Sequence, residues 1–295
     1  MAFNWSTFWT RAFTALIFVA IMMFGLLHSS WSLFVLLSVI YFGCWREYAQ
    51  LTEKITAASL HRYGWLGAAL IGYHFFLLLS GDLQLAGYGV QENFSLPFLI
   101  AGLVLFIWGL FKTPVVSKPL LFRLLAGWLY IAVPLGLLDS LLIPTYDVHV
   151  HDTMFVIGGQ SVVLFIFGSI WINDTMAYLC GSLYGKTPLT KISPKKTWEG
   201  TLSGIILSAA LTWLLYTVIF LKSVEGKLAV VGVIISFITA VAGTFGDLFE
   251  SKLKRMAGVK DSGRIMPGHG GFLDRFDSIL FAAPAIWLFV RIFYG

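Results

Sequence analysis

The chain has 295 residues, of which 58% are hydrophobic and only 12% charged, with a formal net charge of +5 and a mean hydropathy of +0.83. A soluble domain carries roughly twice that share of charged residues, so these few polar groups cannot cover a globular surface. The composition excludes disordered, collagenous and disulfide-scaffold classes and predicts an all-α, polytopic integral membrane protein.

A bilayer core about 30 Å thick needs about 20 apolar residues per helix. In chain order, candidate spans fall near 11–27, 30–45, 63–80, 95–111, 121–143, 153–172, 198–221, 228–249 and 278–294, about nine transmembrane helices. The first stretch has an Arg before an apolar run but no small-residue cleavage site after it, and it reads as a retained helix. Only His28, Ser29 and Ser30 separate it from the second, and the combined run is too long for one span, so a helical hairpin is expected there. Gly102, Gly109, Gly127, Gly136, Ser203 and Gly204 inside the spans suit close helix–helix contact. Cys44 and Cys180 lack a paired framework or metal-ligand spacing and read as small buried hydrophobes.

Lys and Arg set the orientation. With the N-terminus cytoplasmic and the C-terminus outside, seventeen of the twenty basic residues fall on the cytoplasmic side, and only Lys222, Lys227 and Arg291 fall opposite. The chain divides into an N-terminal region, 1–150, of about five spans and a C-terminal region, 151–295, of about four. The second region carries two polar cytoplasmic segments, 173–200 and 246–278, where any chemistry is expected.

The first segment places Asp174, Tyr178 and Gly181 on one face if the preceding helix continues. Pro194 permits a helix to start just after it, which would put Lys195 and Lys196 in a first turn suited to phosphate, with Ser193, Thr197 and Glu199 around them. Lys191 reads as an interfacial topology anchor. Gly181 to Thr187 imitates a nucleotide-binding glycine loop, but only three residues separate Gly181 and Gly185, and a membrane helix rather than a strand precedes them. These glycines are expected to serve packing or a turn.

In the second segment Asp247, Glu250, Ser251 and Lys254 form a polar stripe at the end of an apolar helix, which is costly unless it faces protein, water or ligand. Lys260 and Asp261 follow, then Met266 to Ser278 with Gly268, His269, Gly270 and Gly271 before Asp274, Arg275 and Asp277. Glycine frees backbone N–H groups for a close ligand. Carboxylates suit a hard cation and basic groups offset phosphate charge, so the pattern points to metal-assisted phosphoryl or nucleotidyl transfer.

The stretch Ser251-Lys-Leu-Lys254-Arg255, Lys260-Asp261, Pro267-Gly-His269-Gly-Gly271, Asp274-Arg275-Phe-Asp277 resembles the signature of the phosphatidate cytidylyltransferases, or CDP-diacylglycerol synthases. Asn173-Asp174, Ser193-Pro-Lys-Lys-Thr-Trp-Glu-Gly200 and Gly246-Asp247-Leu248 look like that family's upstream blocks; Met266 stands where the family usually has Leu, Ile or Phe. The resemblance covers the C-terminal part and reaches the first 150 residues only in hydropathy and span count. It implies transfer of the cytidylyl group of CTP to phosphatidate in phospholipid biosynthesis, Mg²⁺ dependence, and a homodimer in a bacterial cytoplasmic (inner) membrane with the site on the cytoplasmic side. A second, monovalent cation is left open, and no nucleic-acid partner is expected. By family position Asp247, Asp274 and Asp277 are the expected metal ligands and, with Lys254 and Arg255, the expected catalytic residues. Asn173, Asp174, Ser193, Lys195, Lys196, Thr197, Ser251, Lys260, Asp261, His269, Gly270, Gly271 and Arg275 are the expected substrate-binding set. Lipid tails should enter laterally between helices, and the spans near 198, 228–249 and 278–294 should pack together. A transporter for a phosphorylated solute would place charge near the midplane and often show paired repeats. A CTP-dependent lipid kinase would lack the C-terminal signature, and a dead scaffold would lack some of these acids and bases.

Overall fold

The computed structural model describes residues 5–142, 145–150, 153–219, 227–264 and 270–294. It is 80% helical and has, among the described residues, six helices long and apolar enough to cross a membrane: Val90–Lys112, Lys118–Ser140, Gly159–Tyr184, Trp198–Leu215, Val230–Met256 and Leu273–Phe293. The chain divides into two compact units: Met1–Ser140 with Leu253–Phe276, and Leu141–Lys252 with Asp277–Gly295.

In the first unit α1 (Trp5–Leu27) and α2 (Ser30–Thr56) form the hairpin expected at 28–30. Ser29 is extended and caps α2: its side chain accepts Ser32 N–H at 3.1 Å, and Ser32 Oγ accepts Ser29 N–H at 2.9 Å. This reciprocal arrangement satisfies two donors that a helix start leaves open. The helix α2 runs past the predicted end at 45 to Thr56, because its buried stripe of Leu33, Leu37, Ile40, Cys44, Glu47 and Leu51 continues at helical spacing.

The next pair, α3 (Arg62–Leu79) and α4 (Val90–Lys112), is joined by a hairpin of β1 (Gln84–Leu85) and β2 (Tyr88–Gly89). Ala86 and Gly87 take the positive φ that a two-residue turn demands. Glycines bring α3 and α4 together: a Cβ on Gly102 would meet Ile71 N at 2.9 Å, and one on Gly109 would strike the Gly64 backbone. The stretch predicted at 121–143 is α5 (Lys118–Gly127), a π turn at Trp128–Ala132 and α6 (Val133–Ser140). Trp128 Nε1 donates to Ala68 O at 2.8 Å, and Tyr48 OH donates to Arg123 O at 2.9 Å, tying this broken helix to α3 and α2.

In the second unit, residues predicted as an outer loop and the start of a span form an antiparallel pair, β3 (Thr145–Val150) with β4 (Thr153–Gly158). The helical period fails here because Tyr146, Val148, Val150, Phe155, Val156 and Ile157 are aromatic or β-branched and favour strand. The sixth predicted span therefore begins later, as α7 (Gly159–Tyr184). It is followed by α8 (Trp198–Ile219) and α9 (Lys227–Met256), and α10 (Leu273–Phe293) closes the chain. The unit boundaries fall inside α9, after Lys252, and inside α10, after Phe276.

The expected packing of the last three helices is present in the second unit. Ser208 of α8 and Ser236 of α9, both fully buried, lie 2.9 Å apart, with Thr212 Oγ1 donating to Ser236 at 3.1 Å and Ser208 to Ser169 O of α7 at 3.2 Å. Such bonds suit helices whose surroundings offer no water. Gly243 and Gly246 admit α10: a Cβ on Gly246 would lie 3.1 Å from Ser278 Cα. Exposed Val104, Ile107, Trp108 and Phe111 on α4, and Leu202, Ile206 and Leu214 on α8, give outer faces that water would not tolerate but lipid would.

Candidate active site

In the second unit, α7 continues through the first polar segment, so Asp174, Tyr178 and Gly181 do share a helix. Its end meets α8 along a glycine seam. A Cβ on Gly200 would sit 2.8 Å from Gly181 Cα and 2.7 Å from Ala177 O, and one on Gly204 would sit 2.9 Å from Asn173 Oδ1. The imitation nucleotide loop is thus helix end and packing surface, as its spacing implied.

Residues 185–197 fold back over this seam. Glu199 in the first turn of α8 accepts Lys186 N–H at 3.2 Å, Thr187 N–H at 3.1 Å and Thr187 Oγ1 at 2.8 Å. Leu189 N–H reaches Lys196 O at 2.7 Å, and Pro188 bridges Thr197. This corrects the placement of the lysines. Lys195 and Lys196 lie in the turn before α8, closed by Lys196 N–H to Ser193 O at 3.1 Å, and not in the helix's first turn. Helix initiation waits for Thr197, whose Oγ1 accepts Gly200 N–H at 3.1 Å and caps α8 itself. Ser193 and Thr197 are part of this turn and cap, and Lys195 is exposed.

Lys196 turns inward and its Nζ pairs with Asp247 Oδ2. Ser251 Oγ donates to Asp247 Oδ1 at 3.3 Å, one turn along α9. Asp277 on α10 is buried and lies in electrostatic range of Asp247, Asp174 and Lys196. Asn173 is buried; its Nδ2 donates to Asp174 Oδ1 at 3.3 Å, and its Oδ1 has no hydrogen-bond partner among the described residues. The unit thus gathers Asn173, Asp174, Lys196, Asp247, Ser251 and Asp277, drawn from both polar segments.

The donor chemistry suits Mg²⁺. Every candidate ligand is an oxygen, the three carboxylates repel one another, and the orphaned Asn173 Oδ1 is a further acceptor. Among the described residues no three His, Cys, Asp or Glu side chains form a metal cage. Mg²⁺ does not need one, since it commonly holds to one or two carboxylates and fills its octahedron with water and phosphate oxygens.

In the first unit, Lys254 near the end of α9 pairs with Asp274 in the first turn of α10 at 2.6 Å, with side chains only 14% and 10% exposed. The other carboxylate oxygen of Asp274 accepts Ser262 N–H at 2.9 Å and Gly271 N–H at 2.8 Å and lies 3.0 Å from Ser262 Oγ. Asp274, expected with Asp247 and Asp277 on a metal, thus has one oxygen on Lys254 of α9 and the other on the backbone of Ser262 and Gly271. Gly270 has φ +83°, and a Cβ there would lie 2.8 Å from Asp274 Oδ2, so backbone and space both call for glycine. Arg255, Lys260, Asp261 and Arg275 are exposed around this network. His269 and Met266 lie outside the described residues.

One buried acid was not anticipated. Glu47 on α2, 2% exposed, accepts Ser262 Oγ at 2.6 Å and the N–H groups of Phe272 and Leu273 at 2.9 Å each. The sequence did carry a signal: Glu47 occupies a position in the otherwise apolar stripe of α2.

The cytidylyltransferase family matches the chain over residues 9–293. The chain is similar to phosphatidate cytidylyltransferase 4, chloroplastic, of Arabidopsis thaliana, 42% identical over 143 residues, or 46% of the chain and 36% of that protein. It is similar to the phosphatidate cytidylyltransferase of Staphylococcus saprophyticus, 45% identical over 130 residues, or 43% of the chain and 48% of that protein. For the Thermotoga maritima protein of the same description the figures are 40% over 146 residues, 46% and 52%. In these matches the chain spans between about a third and a half of the relatives' own length.

Proposed function

Because the chain belongs to the cytidylyltransferase family, we propose that it transfers the cytidylyl group of CTP to phosphatidate, giving CDP-diacylglycerol and pyrophosphate. The observation that carries this reading is the cluster of Lys196, paired with Asp247, and the buried Asp277, with Asp174 in electrostatic range of Asp277, at the end of membrane-type helices. It offers oxygen ligands and an ammonium group, which is what joining two polyanions requires.

A phosphate oxygen of phosphatidate attacks the α-phosphorus of CTP. The new P–O bond forms as the bond from the α-phosphorus to the bridging oxygen breaks, and pyrophosphate leaves with the electron pair. A phosphate monoester has a second pKa near 6 and is mostly dianionic at neutral pH, so no side chain needs to remove a proton. The residues supply position and charge. Asp247 and Asp277, with Asp174 beside them, would hold Mg²⁺, which offsets charge on the reacting phosphates. Lys196 steadies Asp247 and offers positive charge to the α-phosphate side. Asn173 and Asp174 orient the nucleotide or a second, monovalent cation. In the other unit Lys254, with Arg255, Lys260 and Arg275, would bind phosphate, and Asp274, a metal ligand by family position, pairs with Lys254.

The same reading gives nine spans with the N-terminus cytoplasmic and the C-terminus outside, as the basic residues favour. It places a homodimer in a bacterial inner membrane, with the site facing the cytoplasm and the lipid tails entering between helices. The test is purified protein in detergent with CTP, phosphatidate and Mg²⁺. CDP-diacylglycerol and pyrophosphate are expected in equal amounts, and neither without phosphatidate. No lipid-dependent pyrophosphate from well-folded protein contradicts the reading.

A further inference from the structure

We propose that Glu47 is a positioning residue for this reaction: a carboxylate delivered by α2 that fixes residues 262–263 and 271–273 and, through them, the pairing of Asp274 with Lys254. The proposal rests on the cytidylyl-transfer reading for what the loop serves, but the geometry stands by itself.

A buried carboxylate is costly unless its oxygens are hydrogen-bonded. Glu47 has three donors, Ser262 Oγ, Phe272 N–H and Leu273 N–H. The last two are among the donors that open α10 and would otherwise lack helical partners. A negative charge there is also favoured by the positive end of the helix. The start of α10 is thus capped by a residue far away in sequence, which ties the loop to α2.

Residues on both flanks, Gly263 and Gly271, press on this one side chain. A Cβ added at Gly263 or at Gly271 would lie 2.5 Å from Glu47 Cδ. One turn earlier on the same face of α2, a Cβ at Gly43 would lie 2.5 Å from the Phe272 ring. Gly43, Gly263 and Gly271 are therefore the space that lets Glu47 reach the loop backbone. Gly271, which reads in sequence as a ligand-approach residue, is accounted for by this anchor.

Ser262 links the two acids. Its Oγ is 2.6 Å from Glu47 Oε2 and 3.0 Å from Asp274 Oδ2. Its single proton serves one carboxylate at a time; the shorter distance assigns it to Glu47, while Ser262 N–H serves Asp274 at 2.9 Å. The chain of contacts runs Glu47, Ser262, Asp274, Lys254 and ends on an ammonium group proposed to meet phosphate. A small misplacement of such a group can cost about a hundredfold in rate.

The test compares Glu47→Gln, Glu47→Asp and Ser262→Ala in the full-length protein in detergent. Glutamine keeps the size but turns an NH₂ donor toward N–H donors. We expect kcat for Glu47→Gln to fall about 30- to 100-fold with both KM values within about threefold of wild type. Amide hydrogen exchange should quicken at Gly271, Phe272 and Leu273 and not in α3 or α4. Glu47→Asp, which keeps two acceptors, should recover several-fold of the loss, and Ser262→Ala should lose about tenfold with the same local exchange signature. Near-normal kcat with native exchange in Glu47→Gln overturns the proposal. So does faster exchange throughout α2, α3 and α4 with unchanged kcat per folded molecule, and, if the Glu47 variants do not fold, full activity and native exchange in Ser262→Ala. Exchange is read without substrate and wild-type product formation is scored separately, so failure of this proposal is distinguishable from failure of the cytidylyl-transfer reading.

Discussion

Gly200→Ala adds one methyl group where the start of α8 packs backbone to backbone against the end of α7. Its Cβ would lie 2.7 Å from Ala177 O and 2.8 Å from Gly181 Cα. Both neighbours are helix backbone, so neither can swing aside as a long side chain would. The two helices must part by several tenths of an ångström or more, and overpacking of this kind costs about 1–3 kcal/mol. At roughly 2–4 °C per kcal/mol for a chain of this size, the midpoint of thermal unfolding in detergent should drop by about 2–12 °C. Gly168→Ala on α7 is the matched control, since nothing lies within 4 Å of its added Cβ. It should be neutral or raise stability by up to about 1 kcal/mol, because alanine is the better helix former. Activity per folded molecule should fall only in Gly200→Ala, since the parted helices carry Asn173 and Asp174 away from the turn that holds Lys196. Equal tolerance of the two substitutions would refute the seam and the reasoning built on it.

Asp247→Asn should lower kcat by roughly a hundredfold or more and raise the Mg²⁺ concentration needed for half activity, read from pyrophosphate release across a Mg²⁺ titration; near-normal activity at limiting Mg²⁺ would remove Asp247 from the metal site. The orientation is checked in protein freed of Cys44 and Cys180. A membrane-impermeant maleimide should label Asp82→Cys in intact cells and Lys118→Cys only after permeabilisation, and the reverse pattern would invert the topology.

Much of the site was legible because its chemistry sits in two short segments. Asn173, Asp174, Lys196, Asp247, Ser251 and Asp277 were singled out from residue type and spacing, and the second unit brings them together. Helix positions followed from apolar length, and the break at His28 to Ser30 from polar residues in a run too long for one span. The β3–β4 pair was missed because Thr145–Val150 reads as a polar connection and Thr153–Gly158 as the start of an apolar span, and only the alternation of aromatic and β-branched residues with polar ones marks the first as a strand. The lysine turn was misplaced because Pro194 permits a helix start, but nothing local announces that Thr197 will supply the cap. Glu47 was missed for a different reason. Its partners, Ser262, Phe272 and Leu273, lie more than two hundred residues away. No spacing rule reaches that far, although a carboxylate in the buried stripe of α2 was a visible anomaly. Asp274, expected on a metal from family position, has its oxygens on Lys254, Ser262 and Gly271, partners that no spacing rule announces.

The most direct measurement of the central claim follows the two ends of CTP separately. The protein is incubated with phosphatidate, Mg²⁺ and CTP labelled with ³²P at either the α or the γ position, and chloroform-soluble lipid is counted. Cytidylyl transfer predicts that the α label enters lipid while the γ label leaves as pyrophosphate. Entry of the γ label, with the α label remaining in water, would make the protein a CTP-dependent lipid kinase and contradict the account.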